Sequence, residues 1–159
     1  KAEGTAFVSG SGTNRPKGFL TSPVGTQADS GRAFGTLQYL ATGVAGGFAG
    51  TSPADKLIEL VHSLRSGYRQ GAAWVLNAAT LATIRKFKTT DGAFIWQAGM
   101  AAGQPDTLLG YPVVEAEDMP DIAANSLSIA FGNFRAGNKV QYHGCMFGRP
   151  GVSCNQEVA

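Results

Sequence analysis

The stretch from Pro53 to Pro120 most constrains the fold, because helix and strand patterns alternate along it in close succession. The predicted order is helix, strand, helix, hairpin and strand. Such an alternation predicts a domain of the α+β class. A segment rich in Gly, Ser and Thr precedes this stretch, and a segment that carries both cysteines follows Gly137.

The first predicted helix runs from Pro53 to Ser66. Ser52 is a favourable N-cap, proline suits the first helical position, and Gly67 is a favourable C-terminal cap. Apolar residues recur at the spacing of one helix face, namely at Leu57, Leu60, Val61 and Leu64. This spacing predicts an amphipathic helix that packs on a core.

The other elements are shorter. Ala73–Leu76 is predicted to be a buried strand, and Asn77 is predicted to cap a helix that ends at Phe87. Further strands are predicted at Phe94–Trp96, Val113–Val114, a half-buried Leu127–Phe131, and within Gly35–Leu40. Ala6–Val8 fits either a short strand or the end of a helix, and His143–Ala159 shows neither periodicity.

Composition narrows the class of protein. A length of 159 residues indicates one domain, and a net charge of +2 is too small for a typical nucleic-acid-binding module. The hypothesis of a nucleic-acid binder would rest on Arg65, Arg69, Arg85, Lys86 and Lys88. The last three lie where a helix is predicted to end, and cations are favourable there. Two cysteines form no disulfide framework in a chain of this length, which favours a reduced, intracellular setting.

Two segments could carry chemistry. Glu115, Glu117 and Asp118, together with Asp121, form an acidic cluster that could serve an enzyme or a small-molecule site, although a solvated strand edge is the commoner outcome. The glycine-rich segment 43–50 lacks the Lys and Ser/Thr of a phosphate-binding loop, which favours an irregular loop. His62 and His143 are too far apart in sequence to indicate a triad, and His143, Cys145 and Cys154 match no zinc-binding pattern.

The order of four motifs indicates a family. The first is the Gly- and Pro-containing segment Phe7–Leu20, and the others follow within the alternating stretch: Leu64–Asn77, Thr80–Lys88 with Asp91-Gly92 and Phe94–Trp96, and Leu109–Val114. Together they resemble the major capsid protein of tailed phages, of the Hong Kong 97 type. The resemblance covers roughly residues 6–137.

This resemblance implies an α+β, Hong Kong 97-like capsid fold. The chain would supply mainly the axial domain around the capsomer axis, in which a mixed sheet is flanked by helices. Residues 1–137 would form a partial subunit, with the end of the spine region, and residues 138–159 an atypical C-terminal tail. The resemblance also implies a structural protein of the virion, with no catalytic residues, no metal and no cofactor. The extended loop, the N-terminal arm and most of the spine helix would precede Lys1. We therefore expect no complete shells from this chain alone, and a bacterial cytoplasmic location for such a fragment.

The expected partners are other capsid subunits, with weak non-specific contact to packaged DNA and no membrane association. Small-residue loops between core elements are our predicted subunit contacts, because exposed tips of this kind carry binding residues. The predicted contact residues are Thr89, Thr90, Asp91, Gly92, Gly99, Met100, Gly103, Gln104 and Asp106.

Overall fold

The computed structural model describes residues 2–14, 16–27, 31, 33, 35–88, 92–93 and 106–135, and the backbone of 144–147. The helices in these residues are α1 (Ala2–Ser9), α2 (Asp55–Ser63), α3 (Ser66–Arg69) and α4 (Ala78–Arg85), with a 3-10 turn at Phe19–Thr21. The strands are β1 (Val24–Gly25), β2 (Leu37–Leu40), β3 (Ala73–Leu76), β4 (Thr107–Leu108), β5 (Tyr111–Glu115), β6 (Ile129–Gly132) and β7 (Gly144–Phe147).

The strands form one mixed sheet in the order β1-β2-β7-β6-β3-β5-β4. β3 lies near its middle, parallel to β5 and antiparallel to β6. β7 joins the two halves, because it pairs in parallel with β2 and antiparallel with β6. The predicted combination of helices with a mixed sheet is confirmed.

The core lies where β3 and β6 meet α2 and α4. Trp74 and Leu76 of β3 are buried beside Phe131 and Ile129 of β6. The two helices add apolar side chains at helical spacing, so that each buries one face, as amphipathic helices do. These buried helix residues are Leu57, Leu60, Val61, Leu81 and Ile84.

The region predicted as one helix from Pro53 to Ser66 contains a break. α2 ends at Ser63, Leu64 is extended with a ψ of 130°, and α3 begins at Ser66. The guanidinium of Arg69 donates to the carbonyl oxygens of Leu64 at 2.6 Å and His62 at 3.0 Å. These bonds satisfy carbonyls that a helix end leaves without intrahelical partners.

Both caps predicted for this helix are wrong. Gly67 lies inside α3, and the chain leaves α2 before reaching it. Ser52 has a φ of 49° and contributes its backbone carbonyl, which accepts from the N–H of Asp55 at 3.1 Å. The N-cap position is occupied by Ala54, whose side chain cannot cap.

The shorter predicted elements have mixed outcomes. β3 occurs as predicted, and Asn77 caps α4 as predicted, although α4 ends at Arg85 instead of Phe87. Val113–Val114 lies inside the longer β5, and Ala6–Val8 belongs to helix α1. The strand predicted at Phe94–Trp96 lies outside the described residues.

Two strand predictions need correction. The strand predicted at Leu127–Phe131 as half-buried spans Ile129–Gly132 and is buried on both faces. The segment from His143 onward has no strand periodicity, yet Gly144–Phe147 forms β7. β7 is held by its pairing with β2 and β6, which lie far from it in the sequence, so that a local pattern is a poor guide to it.

The turn from Gly10 to Gly18 ties α1 to the 3-10 turn. The N–H of Gly18 donates to the carbonyl of Gly10 at 2.9 Å, and the hydroxyl of Thr21 donates to the same oxygen at 3.0 Å. A Cβ on Gly18 would lie 2.5 Å from backbone atoms of Val8, Ser9 and Gly10. Glycine is therefore required by a backbone-to-backbone contact.

We expect Gly18→Ala to lower the free energy of unfolding by about 2 kcal/mol, because the backbone must shift to accept the methyl group. Gly47→Ala is the matched control, since a Cβ at Gly47 would have no atom within 4 Å. Urea unfolding followed by circular dichroism measures both variants. Equal stability of the two variants would contradict the proposed contact.

Candidate functional site

Two residues of the acidic cluster make structural contacts, and the other two are exposed to solvent. Asp118 accepts from the hydroxyl of Thr5 at 2.6 Å and lies against Gly4, which anchors α1 to the segment after β5. Asp121 accepts from the side-chain amide of Asn77 at 2.7 Å. Glu115 and Glu117 are exposed, and neither lines any of the described grooves. The pocket that an enzymatic role for this cluster requires is not formed by the described residues.

The glycine-rich segment forms part of an open groove. Gly46–Gly50 faces Lys86 and Lys88 across a volume of about 700 Å³. Phe48 anchors the segment edge-to-face on Phe87, with ring centroids 4.9 Å apart. The glycines of this segment are not at the N-terminus of a helix, because the next helix, α2, begins only at Asp55. It therefore lacks the geometry that cradles phosphate groups.

No metal centre is found within the part of the chain that the structure describes. No three His, Cys, Asp or Glu side chains of those residues come together to hold an ion. His62 is exposed on α2, and only its backbone carbonyl has a described bond, to Arg69. His143 and Cys154 lie outside the described residues, and only the backbone of Cys145 is described.

The predicted basic residues do not form one surface. Arg69 lines a groove beside β3 and β5, whereas Lys86 and Lys88 line the groove of the glycine-rich segment. Arg85 forms an ion pair with Asp106, which ties α4 to the residue before β4. The carbonyl of Asp106 also accepts from the N–H of Val113 at 2.9 Å. These contacts give Arg85 a structural role in this domain.

Two of the predicted contact residues are described. Gly92 is exposed, with a φ of 83° and open space around its Cα, as expected of a loop tip. Asp106 is half-buried and bound to Arg85. The other predicted contact residues lie outside the described residues: Thr89, Thr90, Asp91, Gly99, Met100, Gly103 and Gln104.

The sequence analysis missed a sheet face that the described residues leave partly open. Ala73 and Val75 of β3 point away from the core, and their neighbours in β5 are Pro112 and Val114. Val114 is 50% exposed and belongs to β5, the strand next to the β4 edge of the sheet. These four residues form the Val75–Val114 face. The sequence of β3 is apolar throughout, so that no alternation of polar and apolar residues could have indicated this face.

The sites that the described residues offer are open grooves and a sheet face, which are features of protein–protein recognition. No described helix has the length and hydropathy needed to cross a membrane. The sequence profile of the phage capsid family matches residues 1–142. The chain belongs to the phage capsid family.

Two solved structures support this assignment. The capsid of a native GTA particle, computed with C5 symmetry, matches with a TM-score of 0.74 and 49% sequence identity over 84% of this chain and 48% of that chain. The capsid of an empty GTA particle, also computed with C5 symmetry, matches with a TM-score of 0.75 and 49% identity over 84% of this chain and 45% of that one. The chain thus spans about half the length of these capsid chains. No curated protein matches it.

Proposed function

We propose that this chain is a structural part of a major capsid subunit of the Hong Kong 97 type, in a phage, a prophage or a related particle. The observation that carries this proposal is the match of residues 1–142 to the phage capsid family. The 49% identity to capsid chains of GTA particles adds to it. In this role the chain packs against other capsid subunits and catalyses no reaction.

Within the subunit, we assign the chain mainly to the axial domain. Residues 1–137 supply the end of the spine region and the sheet domain, and residues 138–159 supply a divergent C-terminal segment. The loops Thr89–Gly92 and Gly99–Asp106 contact neighbouring subunits around the capsomer axis. The exposed tip at Gly92 supports this assignment, because an exposed tip between core elements is accessible to a neighbour. Contact with packaged DNA is weak and non-specific.

The proposal is tested by identifying this chain in particles. Particles purified from cells that carry the gene are imaged by electron microscopy, and their proteins are digested with trypsin. Cleavage after Arg69 and Arg85 releases the peptide Gln70–Arg85, which contains the whole of β3. We expect this peptide among the most abundant peptides of the shells. Shells that lack it would contradict the capsid role.

We also expect the isolated 159-residue chain to form a monomer or a small oligomer instead of closed shells. The match covers only 48% and 45% of those capsid chains, so these 159 residues supply only part of the contacts that a chain of that length can make. Electron microscopy and light scattering of the purified chain measure this. Closed shells of uniform size would refute the expectation.

A further inference from the structure

The groove beside the glycine-rich segment combines apolar and basic lining. It measures about 700 Å³ and lies between this segment and the C-terminal end of α4, and we call it the Phe48 groove. The half-buried rings of Phe48 and Phe87 meet there edge-to-face. Half-buried Pro53 and Ile122 extend the apolar lining. Concave, partly exposed apolar surface of this kind marks interaction sites on folded proteins.

The charged lining of the Phe48 groove is basic. Lys86 and Lys88 line it and are exposed, whereas no described Asp or Glu lines it. Asp121, which precedes the lining residue Ile122, accepts from the side-chain amide of Asn77 instead. A surface that carries charge of one sign selects a partner of the opposite sign. The groove therefore favours an acidic partner.

The glycine-rich wall of the groove is anchored at two points. Gly46 lies against the segment after β5, because a Cβ there would be 3.4 Å from the backbone nitrogen of Ala124. Two residues further on, Phe48 packs on Phe87 of the opposite wall. A wall that is already held in place loses little conformational freedom when a partner binds.

Between and beyond these anchors the backbone is open. A Cβ on Gly47 or Gly50 would meet no atom within 4 Å, and neither residue has the positive φ that favours glycine. Within the described residues, the backbones of Gly47, Ala49 and Gly50 form no hydrogen bond with another residue. Glycine allows a second backbone to approach closely. The wall thus offers N–H and C=O groups to a partner.

We propose that the Phe48 groove binds an extended, acidic segment of another protein. Its backbone pairs with the open groups of residues 47–50, as extended peptides pair with exposed backbone in other recognition domains. Its carboxylates meet Lys86 and Lys88, and an apolar side chain covers the rings of Phe48 and Phe87. Because this partner is not a capsid subunit, the proposal goes beyond the capsid role and does not depend on it.

Other occupants fit less well. A phosphate group, alone or in a nucleic acid, is best held by converging N–H groups, whereas the C-terminal end of α4 presents carbonyl oxygens. A second copy would have to offer an extended acidic segment. In the acidic cluster of this chain, Asp118 and Asp121 are already bound to Thr5 and Asn77. An acidic peptide supplies both the carboxylates and the N–H donors that the groove can pair.

The first test measures the binding of labelled peptides to the purified 159-residue chain by fluorescence anisotropy. The acidic probe is a capped nonapeptide with Asp and Glu on both sides of one central Phe. Its matched control carries Asn and Gln in place of the acids. We expect the acidic probe to bind saturably and the amide probe to bind at least about tenfold more weakly. Absence of saturable binding, or equal binding of the two peptides, would overturn the proposal.

Two further measurements cover the other occupants. A labelled single-stranded oligonucleotide that binds more tightly than the acidic peptide, and is weakened by Lys86→Glu, would assign the groove to a nucleic acid. In sedimentation velocity, a dimer that dissociates when the acidic peptide is added would assign it to a second copy. Either result would overturn the proposal.

The charge of the groove is tested with Lys86→Glu against Lys17→Glu. Lys17 is also exposed but does not line the groove, so both variants change the net charge equally. We expect Lys86→Glu to weaken the acidic peptide about fivefold at low salt and Lys17→Glu to leave its binding nearly unchanged. Equal effects of the two variants would show that the peptide responds only to net charge, which would exclude this groove as the site.

The open backbone is tested with Gly47→Ala against Gly67→Ala. Gly67 lies on α3, outside the groove, and a Cβ there also meets no atom within 4 Å. Both variants should keep their stability, but the methyl group at Gly47 would stand between the two backbones. We expect Gly47→Ala to weaken the acidic peptide about fivefold or more. Unchanged binding would exclude the backbone contact, and it would leave the capsid role intact, because that role is tested by the peptide Gln70–Arg85 in particles.

Discussion

Replacing Trp74 with alanine is expected to lower the free energy of unfolding by about 3–5 kcal/mol. The indole is fully buried and lies 4.5 Å from the ring of Phe131, which in turn contacts the ring of Tyr111 at 5.0 Å. Its N–H donates to the carbonyl of Leu108 at 2.9 Å, so that one side chain joins β3, β6 and the β4–β5 hairpin. Domains are stable by only about 5–15 kcal/mol, and the loss is a large part of that total.

Thermal unfolding followed by circular dichroism measures this loss. In a domain of this size, about 1 kcal/mol shifts the midpoint by roughly 2–4 °C, so a decrease of about 6–20 °C is expected. Trp74→Phe keeps an aromatic ring but removes the donor to Leu108 and part of the buried ring volume, and we expect it to retain about half of the lost stability. Ile58→Ala is the surface control. A Trp74→Ala protein as stable as Ile58→Ala would contradict the assignment of Trp74 to the centre of the core.

Local signals explain which elements could be predicted from the sequence. β3 is a short apolar run that ends at an asparagine, and Asn77 both ends the strand and caps α4. The apolar spacing of Leu57, Leu60 and Val61 likewise marks α2, because each residue faces the same side of a helix. Such signals lie within a few residues of each other and require no knowledge of the rest of the fold.

Long-range contacts explain the errors. The end of α2 depends on the side chain of Arg69, whose donors reach back to the carbonyl of Leu64, and no capping residue marks the position. β7 depends on β2 and β6, which lie far from it in the sequence. An element whose position is determined by residues far away in the sequence leaves no local sequence pattern.

The candidate site also combines features that have local sequence signals with features that depend on residues distant in the sequence. The acidic cluster is visible in the sequence, but its role depends on Thr5 and Asn77, which bind Asp118 and Asp121 from distant parts of the chain. The exposure of the Val75–Val114 face depends on which side of the sheet the helices cover, and strand alternation alone cannot decide this. The capsid resemblance could be recognised because its motifs combine local signals in a fixed order.

Asn77→Ala is expected to lower the free energy of unfolding by about 2–4 kcal/mol, because one buried side chain makes three hydrogen bonds. Its carbonyl oxygen accepts from the N–H of Thr80 at 2.8 Å and caps α4. Its amide donates to the carbonyl of Met119 at 3.1 Å and to the carboxylate of Asp121 at 2.7 Å. Alanine loses the cap and also leaves the buried carbonyl of Met119 without this donor.

Asn77→Ser separates the two roles of this side chain. Serine is a good N-cap and can accept from the N–H of Thr80, but it cannot reach Met119 and Asp121 as the longer amide does. We expect serine to recover only about 1 kcal/mol of the loss. In hydrogen exchange, residues 116–128 should be less protected in both variants, whereas the first turn of α4 should be less protected only in Asn77→Ala. A serine variant with wild-type stability would show that the cap alone accounts for Asn77, and that the segment after β5 is held in place without it.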